Sequence, residues 1–167
     1  MRIADALLPE FDQEAASTRK VLERVPTDKF KYKPHEKSFD MGSLAVHIAT
    51  MFSWGATTLK EDSFDVAPEG REPYRDPIAT DTAALVASFD KNAADFRAAL
   101  AAADNDSLMK PWSLLAGGKP IFTMPRVAVI RGMIFNHIIH HRGQLTVYLR
   151  MNDIPLPAIY GPSADEK

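Results

Sequence analysis

Four stretches of this chain carry apolar residues at spacings of three and four, and proline-bearing connections keep the stretches apart. That period places apolar side chains on one face of a helix, and a helix with one apolar face must bury it against a partner. The first stretch sets Leu7, Leu8, Phe11, Ala15, Thr18, Leu22 and Val25 on such a stripe, and Pro26 ends it. A second predicted helix runs from about Gly42 to Lys60, burying Leu44, His47, Ile48, Met51, Phe52 and Leu59, with Asp40 and Ser43 both suited to cap it. The third begins near Thr80, carries Leu85, Phe89, Phe96 and Leu100 among many alanines, and fades near Asp104. The fourth starts near Pro125 and continues to about Met151, roughly 40 Å at the standard helical rise.

The connections are punctuated rather than periodic. Residues 27–40 hold Pro34 and many charges, and 62–79 hold Pro68, Gly70, Pro73 and Pro77, which argues for a surface loop without a regular element. Residues 107–125 include Pro111, Gly117, Gly118 and Pro120 and read as a long loop, with room for a short strand or hairpin around Ile121 to Thr123. The tail after Asn152, with Pro155, Pro157 and Pro162, is expected to run extended and to pack Ile154, Leu156 and Ile159 on the helices. These features predict an all-α, antiparallel four-helix bundle with long inter-helix loops. A chain of 167 residues suffices for one core, so residues 1–167 are expected to form a single domain.

Charge and composition exclude several function classes. A formal net charge of −2 gives no general attraction to polyanions, and the short Lys29-Phe30-Lys31-Tyr32-Lys33 run fits a solvated loop better than a nucleic-acid surface. The chain has no cysteine, so it has no disulfide, no thiolate metal ligand and no cysteine nucleophile; thiol chemistry would need a thiol from outside. No stretch approaches the roughly 20 apolar residues of a membrane span, and Asp5 and Glu10 interrupt the run a signal peptide would need. A cytoplasmic location, with no nucleic-acid or membrane partner, is the expectation.

The segment Phe135 to Leu145, FNHIIHHRGQL, places three histidines within five positions of an otherwise apolar helix. Imidazole is a poor filler of an apolar interior, because each ring carries a donor and an acceptor that need partners. Residues four apart on a helix project from one face about one turn apart, so His137 and His141 can grip one ion. The pair also lies on the inward line Ile130, Ile134, His137, His141, Leu145, Tyr148, whereas His140 falls toward the flank. His47 is the remaining histidine inside a helical apolar stripe; His35 lies in a charged loop beside Pro34. Spacing alone leaves two readings open: core histidines bonded to carbonyls, or three ligands of a divalent metal with an open coordination position. Trp54, seven residues after His47, and Trp112, Phe122 and Met124 in the long loop are candidates to line or cover the site.

The segments KYKPHEKSFDMGSLAVHIA at 31–49 and HIIHHRGQLTVYLRMNDIPLP at 137–157 resemble the DinB superfamily, also called YfiT-like metalloenzymes, and the likeness spans essentially the whole chain. The resemblance implies an antiparallel four-helix bundle, a homodimer, and a divalent metal held by His47, His137 and His141. Arg142, Gly143 and Gln144 complete the signature and are expected to be structural, with Gly143 permitting close helix approach. Similarity to thiol-dependent isomerases and S-transferases implies a small-molecule substrate and a low-molecular-weight thiol, activated by zinc or nickel, both of which suit imidazole. A non-catalytic, stress-associated metal-binding dimer and a hydrolase using metal-bound water are the alternatives.

Overall fold

The computed structural model describes residues 2–167 and is mostly helical. Its elements in order are α1 (Ile3–Leu22), a 3-10 turn (Thr27–Lys29), α2 (Met41–Lys60), β1 (Ser63–Asp65), α3 (Thr82–Ala102) and α4 (Asn105–Met109). They are followed by β2 (Pro111–Ala116), β3 (Lys119–Pro125), α5 (Arg126–Val129), a π-helical stretch (Ile130–Phe135) and α6 (Asn136–Arg150). Helix starts follow the expected chemistry. Asp40 caps α2 by accepting from the Ser43 N–H at 2.7 Å, Asp81 caps α3 through Ala84, and Asp104 caps α4 through Ser107. Of the two residues suited to cap α2, Asp40 takes the role and Ser43 supplies the N–H.

The four long helices meet around a cluster of phenylalanines. Phe11 of α1 sits 4.9 Å from Phe52 of α2 and 5.4 Å from Phe96 of α3, and Phe135 of the π stretch reaches Phe96 at 6.2 Å, all edge to face. All four rings are nearly inaccessible to solvent, so each helix contributes a large apolar payload to one core. A Cβ on Gly55 would lie 2.8 Å from the Phe96 ring, so α2 and α3 approach as closely as they do only because that residue is glycine.

Contacts between helices also fix their directions. Asp12 pairs with Arg97 and Asp90 with Arg19, so α1 and α3 run antiparallel. Asn92 bonds the Ala49 carbonyl while Phe96 covers Gly55, so α2 and α3 run parallel. The order is therefore up, down, down, up, a finer pattern than a uniformly antiparallel bundle. The connection 61–81 allows it: a 20-residue helix is about 30 Å long, which roughly ten extended residues can retrace.

That connection is not wholly irregular. β1 pairs parallel with β2, and β2 pairs antiparallel with β3, so a small three-stranded sheet closes one end of the helices. The sequence offered room for a strand near 121–123, and β3 occupies it; β1 has no sequence signal, since three residues carry no period and their partner lies some fifty positions downstream. The β2–β3 turn uses Gly117 and Gly118, at φ of 58° and 71°, and the Asp65 carboxylate accepts from both their N–H groups. Arg126 ties the sheet to the helices by bonding the Glu61 carbonyl, the Asp62 carboxylate and the Ser107 hydroxyl.

The tail behaves as expected, with Ile154, Leu156 and Ile159 packed against the core. It is anchored by Tyr160, whose hydroxyl donates to the Glu14 carboxylate at 2.9 Å and accepts from Arg142 at 2.5 Å. Arg142 and Glu14 form a buried ion pair at 2.7 Å between α6 and α1. Among the described residues no helix is long and apolar enough to cross a membrane.

Candidate metal centre

α2 and α6 run antiparallel and carry His47 opposite His137 and His141. The His47 ring lies 5.3 Å from the His137 ring and 5.0 Å from the His141 ring, and the two rings on α6 are 4.6 Å apart. One nitrogen from each of the three lies within 4.8 Å of the others. His140 is exposed on the flank and His35 sits in its loop bonded to the Lys37 N–H, so neither joins the cluster. The π-helical stretch ends directly before this pair; there the Asn136 N–H donates to the Arg131 carbonyl five residues back instead of four.

Each imidazole is held from behind. His47 Nδ1 lies 2.7 Å from Asp76 Oδ2, His141 Nδ1 lies 2.6 Å from Gln144 Oε1, and His137 Nδ1 faces the Met133 carbonyl at 3.3 Å. A carboxylate and a carbonyl can only accept, so Nδ1 carries the proton and Nε2 of every ring keeps its lone pair; those of His137 and His141 face each other inside the cluster. The network continues outward: Tyr74 donates to the other Asp76 oxygen at 3.0 Å and accepts from Trp54 Nε1 at 3.1 Å. Phe39, an exposed ring, stacks on His47 at 6.0 Å.

This arrangement is unfavourable for empty neutral rings. His137 Nε2 and His141 Nε2 lie 2.9 Å apart, and with both Nδ1 atoms protonated two lone pairs face each other there. A cation between them removes the repulsion. Metal–imidazole bonds of about 2.0–2.1 Å in a tetrahedral set put ligand nitrogens about 3.3 Å apart, so a small opening of this 2.9 Å pair seats an ion. Burial, reinforced by the neighbouring His141 and His47 rings, pushes the His137 pKa down to about 4. Burial likewise lowers that of His141, against the Gln144 bond that raises it. Both rings are thus neutral near pH 7, the form that ligates. The donor set and its geometry fit a divalent ion, and no carboxylate stands among the three donors to neutralise its charge.

Sequence reasoning identified the three rings and missed their supports. Asp76 sits 29 residues from His47 in a proline-rich connection with no periodic signal. Gln144, expected only to be structural, holds the His141 ring three residues back along the same helix. Arg142 is structural as expected, but Gly143 is exposed with nothing within 4 Å of an added Cβ, so it permits no close helix approach. Trp54, Trp112 and Phe122 line a cavity beside the histidines, while Met124 pairs with Trp112 across the ladder without lining it.

The sequence profile described as the DinB family matches residues 1–166. The protein YrdA of Bacillus subtilis strain 168 is 28% identical over 162 residues, covering 97% of this chain and 90% of YrdA. A crystal structure of a DinB-like protein from Bacillus cereus ATCC 10987 superposes with a TM-score of 0.72 at 22% identity, covering 95% of this chain and 98% of the other. The DinB-like protein YjoA of Bacillus subtilis gives 0.68 at 24% identity, covering 91% and 95%.

Proposed function

Because the chain belongs to the DinB family, we propose that it is a divalent-metal-dependent enzyme of the thiol-using S-transferase or isomerase type, with His47, His137 and His141 as the metal ligands. The observation that carries this reading is the convergence of three imidazoles, one nitrogen from each within 4.8 Å of the others, whose Nδ1 atoms are each held by an acceptor. Zinc and nickel both suit three neutral imidazoles. A divalent ion bound there supplies Lewis acidity, which lowers the pKa of a thiol or water sharing it.

The chain's own residues define the rest. Asp76, Gln144 and the Met133 carbonyl orient the rings and keep Nε2 as the ligating atom. Asp76 also places a carboxylate directly behind His47, making that ring a stronger donor. With no cysteine in the chain, the thiol is a separate low-molecular-weight molecule, and the second substrate is a small electrophile. The family resemblance supports a cytoplasmic homodimer in which residues 1–167 act as one domain.

The test is metal analysis of tag-free protein, with His47→Ala and His141→Ala variants alongside. The wild type is expected to hold stoichiometric metal and both variants to lose it; retention by both overturns the ligand assignment. A screen of electrophiles with several cellular thiols is expected to show turnover that needs both metal and thiol. Turnover without thiol would redirect the reading to hydrolysis.

A further inference from the structure

A cavity of about 230 Å³ lies beside the histidine cluster, between α2, the π-helical stretch and the sheet. Thr58, Trp112, Val129 and Ile134 are buried and form its floor, whereas Tyr74, 37% exposed, marks its mouth. Five rings line it, those of Trp54, Phe64, Tyr74, Trp112 and Phe122, and no acidic or basic side chain does. Trp54 also contacts the His47 and His137 rings, and Met133, another lining residue, turns its carbonyl to His137. The cavity and the metal centre therefore share a wall.

The polar side chains of the lining have no proton to offer a guest. The hydroxyls of Ser53, Thr57 and Thr58 donate to the Thr50, Ser53 and Trp54 carbonyls of their own helix at 2.8, 3.0 and 2.9 Å. The Tyr74 hydroxyl donates to Asp76, and the Trp54 indole N–H donates to Tyr74. Trp112 Nε1 is buried out of reach of any guest, so that residue offers only ring carbon. A carboxylate, carbonyl or ether oxygen entering here loses its water and gains no side-chain donor, and an ion does so at greater cost. A hydrocarbon has no such loss and gains contact with the rings. An apolar cavity of about 150 Å³ takes benzene, so this one has room for a benzene ring with a short branched alkyl group. We infer that the cavity is a binding site for an uncharged hydrocarbon group of that size. As the subsite for the hydrocarbon end of the electrophile it rests on the proposed function; as a binding site it does not.

The experiment uses three probes of similar outline. Cumene is a benzene ring with an isopropyl group, benzoate carries a carboxylate in its place, and phenyltrimethylammonium carries a fixed cation of the kind that aromatic rings can hold. Binding to chelator-treated protein is followed by tryptophan fluorescence and calorimetry, so benzoate cannot report on the metal. Cumene is expected to bind with a negative heat-capacity change, and both ions to bind at least about tenfold more weakly. Val66→Phe and Leu114→Phe, which fill the cavity, are expected to weaken cumene at least about tenfold. Absence of cumene binding, an ion binding as tightly as cumene, or unchanged cumene binding in a filled variant that retains a cooperative melt overturns the inference. The comparison of probes on the wild type decides by itself if both variants fail to fold. Cumene binding in a protein that holds no metal would sink the proposed function and leave the cavity assignment standing; stoichiometric metal without cumene binding does the reverse.

Discussion

The carboxylate of Asp76 touches no ligand position, yet it fixes which nitrogen of His47 can bind. Partners of this kind behind a metal-binding imidazole typically contribute 10–100-fold to affinity, so Asp76→Ala is expected to weaken metal binding by about that factor, measured by competition with a chromophoric chelator. Gln144→Ala should weaken it less, because that side chain is exposed. The two rings of α6 also make the metal-free protein acid-sensitive. Their folded pKa values lie below the ordinary value near 6.5, with His137 at about 4, so the unfolded chain binds more protons across that interval. Stability present above about pH 6.5 is therefore lost as pH falls toward 4, and melting temperatures of chelator-treated protein should decline through that window. His137→Phe should flatten the profile.

At the scale of single elements, two close contacts set how the pieces fit. Gly55 admits the Phe96 ring, and a methyl group there has no room, so Gly55→Ala is expected to cost about 1–3 kcal/mol, read from chemical denaturation. The β2–β3 hairpin depends on Asp65 reaching across from β1 to the two glycine N–H groups of its turn. Asp65→Ala should speed amide exchange across 111–125 while leaving the four long helices protected. The helices were legible in the sequence because their apolar residues repeat at the helical period. Their ends were legible to within a few residues because Asp40, Pro26 and Pro125 act locally, whereas the Asp81 cap of α3 carried no reading beforehand. β1 was not, since its pairing with β2 is chosen by where α2 delivers the chain. Nor was the π-helical stretch, whose extra residue per turn leaves the apolar pattern unbroken.

For the molecule as a whole, the buried Arg142–Glu14 pair with Tyr160 joins first helix, last helix and tail. Breaking a buried pair leaves one charge without a partner and typically costs about 3–5 kcal/mol, so Glu14→Gln should lower unfolding free energy strongly. The double variant Glu14→Leu/Arg142→Leu should recover part of that loss, because no uncompensated charge remains. A double-mutant cycle in denaturant measures the coupling. Arg142 follows His141 directly, so this pair also helps set the height of α6 against the bundle and with it the placement of two of the three rings.

Local chemistry sufficed to predict the four long helices, the shared face of His137 and His141 and the candidacy of His47, because helical period records which residues project together. The line α6 fully buries runs one residue over, through Ile138, Arg142, Leu145 and Leu149, and leaves the two histidines at its edge. Only the tertiary structure decided that α2 and α3 run parallel, that Asp76 stands behind His47, that a sheet closes one end, and that a tryptophan-lined cavity adjoins the histidines. Each of these depends on where a long, aperiodic connection brings the chain back, a choice made by packing between residues far apart in sequence.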